Sequence, residues 1–89
     1  MFTTSKKLSK IVEQKFGKNV AMINVFSGLT TYGITVQFHL ELYQKKFDGE
    51  LNKLVNEHGY EVHFKNFNDV TVLRGKTVNT ISFMACVKK

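Results

Sequence analysis

The chain has no proline and no tryptophan, and it carries only one cysteine and one arginine. With Cys86 alone, a disulfide bond within the chain is excluded. No apolar run approaches the roughly 20 residues of a membrane-spanning helix. The N-terminal stretch MFTTSKKLSK also lacks the apolar core of a signal peptide. We therefore expect a cytoplasmic protein in a reducing compartment, without a membrane partner.

What remains is typical of one small folded domain. The 89 residues are 43% hydrophobic and 22% charged, which favours a globular chain over a disordered one. There is no room for a second core, so residues 1–89 are expected to form a single domain. The abundance of Lys, Asn and Phe beside a single Arg is typical of an AT-rich coding source, such as a low-GC bacterium or a phage.

The net charge of +6 is unevenly distributed. Residues 1–20 contain five lysines and one glutamate, and residues 64–89 contain five cationic side chains and one aspartate. The segment between them, residues 21–63, has more acidic than basic side chains. The positive charge therefore belongs to the two ends of the chain.

The clearest structural pattern lies in residues 30–42, TTYGITVQFHLEL. Apolar side chains recur at every second position from Tyr32 to Leu42, and polar residues or Gly33 occupy most of the positions between them. Because successive side chains of a strand point to opposite faces, this alternation predicts a long, half-buried β-strand that ends near Leu40.

Residues 5–16 are predicted to form an amphipathic helix that packs on the sheet. The spacing of Leu8, Val12 and Phe16 places them on one stripe. Thr4 or Ser5 is expected to cap the helix at its start, and Gly17 to end it.

Residues 19–26 are predicted to form the first strand, joined to the long strand by a two-residue turn at Ser27-Gly28. That turn places Ile23 opposite Tyr32 and Met22 opposite Gly33. On the second face it also places Phe26 opposite Leu29.

The following segment allows two interpretations. The apolar stripe from Leu40 to His58 fits a helix that begins near Glu41, or a shorter one that begins after an Asp48 cap. Gly49 would cost about 1 kcal/mol inside a continuous helix, which favours a firm helix over residues 47–58.

The C-terminal third is predicted to form three strands. Tyr60, Val62 and Phe64 are expected to point inward and Lys65 outward. A loop at residues 66–68, with Asn68 left-handed, would lead into the next strand, and a turn at Gly75-Lys76 into the last. The prediction is an α+β fold with two layers: a mainly antiparallel five-stranded sheet with two helices, in the order α-β-β-α-β-β-β.

Catalytic and metal sites have little support. His39, His58 and His63 are scattered, without the spacing of a zinc site, and we expect no cofactor. Cys86 is expected to be a packed, unreactive thiol. A metal-independent ribonuclease that uses His63 with Lys65, or His39 with Tyr43, remains a remote alternative.

Nucleic-acid binding has the best physical argument, because lysines that neutralise phosphates release condensed counterions. Phe67 is expected at a loop tip, where its ring could stack on an unpaired base. We predict a regulatory protein without catalytic activity that prefers RNA to DNA. The candidate binding residues are Lys6, Lys7, Lys10, Lys18, Lys65, Phe67, Arg74, Lys76, Lys88 and Lys89.

The alternative is a protein-binding module. Val20, Met22, Phe26 and Leu29 make the second sheet face too apolar for solvent, unless the first helix covers it. Such a face would bind a protein partner, for example as a phage-encoded inhibitor or adaptor that acts on a host protein. A homodimer could form through that face or through an exposed strand edge.

Overall fold

Among the residues that the structure describes, two α-helices and four strands follow one another in the order α-β-β-α-β-β. The computed structural model describes residues 3–89. Single 3-10 turns lie at Gly17–Asn19 and at Leu40–Leu42. The elements are α1 (Ser5–Phe16), β1 (Val20–Ser27), β2 (Tyr32–His39), α2 (Lys46–Glu57), β3 (Tyr60–Leu73) and β4 (Lys76–Val87).

The predicted bounds of α1 are confirmed. The side chain of Thr4 accepts a hydrogen bond of 3.2 Å from the backbone N–H of Lys7, which satisfies one of the free donors of the first turn. Gly17 ends the helix with φ of +53°, a conformation that a side chain disfavours.

The prediction of a five-stranded sheet is wrong: the sheet has four antiparallel strands in the order β1-β2-β4-β3. The expected loop at residues 66–68 is instead an irregularity inside β3, where the register shifts between Asn66 and Asp69. Asn68 does not adopt a positive φ. Its N–H binds the side chain of Asn66 at 3.0 Å, and the Val70 N–H binds Asp69 at 2.8 Å. Local side-chain acceptors thus accommodate the bulge without reversing the chain.

The hairpins also differ from prediction. Ser27 pairs with Tyr32, so four residues rather than two connect β1 to β2, and Ile23 faces Val36 instead of Tyr32. Gly28 does not have the positive φ that a two-residue turn would require. The shift is an even number of residues, so the predicted faces survive from Met22 to Ser27. The prediction for Val20 is wrong, because a register shift between Val20 and Met22 moves it to the helix side. Between β3 and β4, the turn residues are Arg74 and Gly75, both with positive φ.

Both helices pack on one face of the sheet. The fully buried centre combines Leu8 and Val12 of α1 with Leu51 and Val55 of α2, over Phe38 of β2. The ring of Phe38 lies 5.0 Å from that of Phe16 and 5.4 Å from that of Phe47. The other members of this core are Ile34, Val36, Tyr60, Ile81, Phe83 and Ala85.

The opposite face of the sheet has no helix over it. At Gly33 the backbones of β2 and β4 are so close that a Cβ atom would lie 1.9 Å from the carbonyl oxygen of Ala85. The edge strands β1 and β3 approach to within 8 Å between Cα atoms without pairing, which indicates a strongly curled sheet.

Candidate functional site: the uncovered sheet face

The uncovered face of the sheet, which we call the open face, is defined by the register of the four strands. Residues that pair across a ladder point to the same side, so every partner of an open-face residue also lies there. Its apolar members are half-exposed or exposed except for Cys86. The open face consists of Met22, Asn24 and Phe26 of β1, Gly33, Thr35, Gln37 and His39 of β2, Thr80, Ser82, Met84 and Cys86 of β4, and Glu61, Phe64, Asn66 and Asp69 of β3.

A register shift between Val62 and Phe64 determines which side chains of β3 reach the open face. Val62 pairs with the core residue Ala85, but after the shift Phe64 pairs with Met84 on the other side. Phe64 is 57% exposed. The prediction that Phe64 points inward and Lys65 outward is therefore wrong, because one extra residue at His63 exchanges the two faces.

Lys65 consequently lies on the helix side, and its ammonium group is bound within the protein. It forms an ion pair with Asp48 of α2, whose carboxylate also accepts a hydrogen bond from the Tyr43 hydroxyl. Burial by itself would lower the pKa of Lys65, but the bonds to Asp48 and Tyr43 outweigh it and raise the pKa. Burial and the bond to Asp48 raise the pKa of Tyr43 as well. Lys65 is thus engaged in joining α2 to β3.

Phe67 is 58% exposed, as a base-stacking residue would need to be, but it does not lie at a loop tip. It occupies the second irregular segment of β3. The ammonium group of Lys65 lies 4.3 Å from the centre of its ring, in a cation–π contact. One face of this ring is therefore already occupied by an internal cation.

The cationic candidates of the C-terminal third fall into two groups at opposite ends of the sheet. Arg74 and Lys76 lie at the β3–β4 turn, whereas Lys88 and Lys89 follow the far end of β4. Lys89 lines a shallow groove with Glu61 and other residues at the border of the open face. All four side chains are exposed, so each end of the open face carries an available pair of positive charges.

The lysines of the N-terminal segment have a different location. Lys7 and Lys10 are exposed on the outer side of α1, in the helix layer, and Lys18 lies in the turn after it. Lys6 is at the rim, beside Val25 and other residues at the end of β1. The structure therefore does not bring the ten predicted nucleic-acid-binding residues into one surface.

The predicted protein interface is also divided. Met22 and Phe26 lie on the open face, and Phe26 is directly opposite Gly33. Val20 pairs with Phe38 and packs against the core on the helix side. Leu29 is fully exposed in the β1–β2 connection. The predicted interface required that α1 leave this face uncovered. That condition is met, because α1 packs on the opposite face of the sheet.

The centre of the open face is polar and well satisfied. The side-chain amide of Gln37 donates to Thr80 Oγ1 at 3.1 Å and to the backbone oxygen of Val70 at 3.3 Å. Gln37, Thr80 and Ser82 are all buried. These bonds connect β2 to β4 and β3 and so stabilise the curvature of the sheet. The apolar part of the open face, around Phe26 and Phe64, lies beside this polar centre.

Acid–base chemistry has one local arrangement at this border. His63 Nε2 lies 2.9 Å from Glu61 Oε1, and both side chains are about half-exposed. Of the pairs named from sequence, His63 contacts Glu61 while Lys65 is bound to Asp48 on the helix side, and His39 and Tyr43 lie on opposite sides of the sheet. Residues 3–89 contain no cluster of three metal-binding side chains, and none of their helices has the length and hydropathy needed to cross a membrane.

Comparisons with protein-family models, with curated proteins and with solved structures find no match to this chain. A functional proposal therefore depends on the residues and geometry of the open face.

Proposed function

We propose that the protein binds single-stranded nucleic acid, RNA in preference to DNA, across the open face and without catalysis. The observation that carries this proposal is the exposed ring of Phe64 on a four-stranded sheet whose other face alone is covered by helices. Aromatic side chains on such sheets stack on unpaired bases, and each stacked base contributes about 1–3 kcal/mol. Phe26, half-exposed near the other edge, is the second candidate stacking residue.

The surroundings of Phe64 suit the remaining parts of a nucleotide. Asn24, Thr35 and Asn66 lie on the same face and offer amide and hydroxyl groups to base edges and to a ribose 2′-hydroxyl. The two cationic pairs stand at the ends of the strands, where phosphates of a bound chain would emerge.

The direct test is fluorescence anisotropy with a labelled RNA of about eight nucleotides and a DNA of the same sequence. Phe64→Ala is expected to weaken RNA binding by about 5- to 150-fold, the equivalent of one lost stack. Phe67→Ala is the matched control, since this equally exposed ring is on the helix side, and it should change affinity less than about twofold. Equal effects of the two substitutions would contradict binding on the open face.

A salt series tests the electrostatic part of the proposal. The double substitution Lys88→Gln and Lys89→Gln should reduce the slope of log affinity against log salt by about 0.7 for each lost phosphate contact. The same change at Lys7 and Lys10, on the helix layer, should leave that slope unaltered. Wild-type affinity that does not fall as salt increases would end the proposal.

The apolar character of Met22, Phe26 and Met84 favours a second candidate function, binding of a protein partner. A tagged pull-down from the native host, with and without nuclease, separates the two functions. A partner that survives nuclease and is lost on Phe64→Ala would replace nucleic acid as the ligand. The remote ribonuclease alternative is checked with the same RNA, because cleavage by wild type that is lost in His63→Ala would support an enzyme.

A further inference from the structure

The two edges of the sheet are protected to very different degrees. The β3 edge contains two register shifts and the charged residues Glu61, Lys65 and Asp69, features that discourage pairing with another strand. The β1 edge, VAMINVFS, contains no charge and no proline, and its only irregularity is near Val20. Within residues 3–89 no strand pairs with its outer edge, although β3 approaches β1 to within 8 Å between Cα atoms.

The exposed side chains of β1 are also apolar in part. Val25, on the helix side, is 50% exposed, and Phe26, on the open face, is half-exposed. Free backbone donors and acceptors beside apolar side chains are the usual template for strand addition.

We propose that a second copy of this chain occupies the β1 edge, so that two β1 strands pair antiparallel about a two-fold axis at Asn24. This register is self-complementary. Asn24 meets its own copy, Ile23 meets Val25 on the helix side, and Met22 meets Phe26 on the open face. The eight-stranded sheet that results leaves no uncharged edge.

The charges of α1 support the same arrangement. Beside β1, Lys6 lines the groove at Val25, Phe26 and Ser27. At the other end of the strand, Glu13 lines the groove with Val20 and Ile23. A two-fold axis reverses the direction of the partner strand, so Lys6 of each copy comes beside Glu13 of the other. Ser9, between them on α1, is uncharged.

This inference does not depend on nucleic-acid binding, and it is tested by mass and by cross-linking. Sedimentation velocity should show a species of twice the 10.2 kDa chain mass that dissociates on dilution. Asn24→Cys should form a disulfide-linked dimer under mild oxidation, because facing Cα atoms in an antiparallel pair lie about 4.5–5.5 Å apart. Asn68→Cys, exposed on β3, is the matched control and should not cross-link.

Two substitutions test the register. Asn24→Lys places like charges together at the axis and should weaken dimerisation about tenfold or more, while the exposed position keeps the monomer folded. Glu13→Lys should weaken the dimer about two- to fivefold, and adding Lys6→Glu should restore it. A wild-type chain that is monomeric throughout, or cross-linking of Asn68→Cys as fast as Asn24→Cys, would overturn the proposal.

Discussion

On the helix side of the sheet, Ile34, Val36 and Phe38 are buried under Leu8 and Leu51, whereas on the open face Phe64 and Met84 meet no helix. The two faces are formed by alternate positions along the same four strands. On the helix side Lys65 is held in an ion pair with Asp48, while the open face has exposed positive charges at both ends. One face therefore supplies the buried core, whereas the other leaves Phe64 exposed, where we propose that a ligand binds.

The largest expected effect contrasts two phenylalanines on the two faces. Phe38→Ala removes a ring packed between Phe16, Phe47 and Phe83, and it should lower the free energy of unfolding by about 3–5 kcal/mol. Phe64→Ala removes an exposed ring and should cost less than about 1 kcal/mol. Urea denaturation measures both. Similar losses would mean that the open face contributes to the core, and the comparison would fail.

An intermediate effect on stability is expected at Gly33, where the backbones of β2 and β4 lie too close together for a side chain. Gly33→Ala forces β2 and β4 apart, because the new methyl group overlaps the Ala85 carbonyl, and it should cost about 3 kcal/mol. Gly49→Ala is the control. A methyl group there meets no atom within 4 Å, and it should stabilise α2 by about 0.5–1 kcal/mol. Thermal unfolding of the two variants should shift in opposite directions.

The smallest effect concerns the ion pair on the helix side. The folded pKa of Lys65 is raised above its ordinary value of 10.5, so the stabilisation from its charged form is present below that pH and is lost as pH rises through the folded pKa. Tyr43, with a pKa raised above 10.0, acts in the same direction, because the fold favours its neutral phenol.

Stability measured by urea denaturation should therefore decrease above about pH 10. Lys65→Met should reduce this decrease and cost about 1–2 kcal/mol at neutral pH, less than a fully buried pair, because solvent still reaches both partners. Lys53→Met, at an exposed position of α2, should leave the pH profile unchanged. A wild-type profile that is flat up to pH 11 would contradict the role given to the pair.

Periodicity and capping identified the bounds of α1 and the existence of β2 because their signals are local, although β2 has eight residues and is shorter than the long strand predicted. Thr4, Gly17 and the apolar stripe of α1 act within a few residues of one another. The predicted length of the connection between β1 and β2 was wrong. The choice between two and four residues depends on the φ of Gly28, which the paired strands determine. Phe64 was missed as a surface residue for the same kind of reason. The one available signal was the next residue, Lys65. If Lys65 points to the helix side, where it needs a carboxylate partner such as Asp48, then Phe64 must point to the open face.

The amino-acid sequence by itself determined the α+β class, the two helices, the parity of the β1 and β2 faces and the concentration of positive charge at the chain ends. Only the tertiary structure decided that residues 60–73 form one strand, because Asn66 and Asp69 satisfy the backbone locally where a turn could equally have formed. It also decided that Phe64 points outward and Lys65 inward, since Asp48 lies on a helix 17 residues away in the chain. One extra residue in a bulge exchanges the two faces for all the side chains that follow it in the strand. Contacts with residues distant in the sequence determine where that bulge forms.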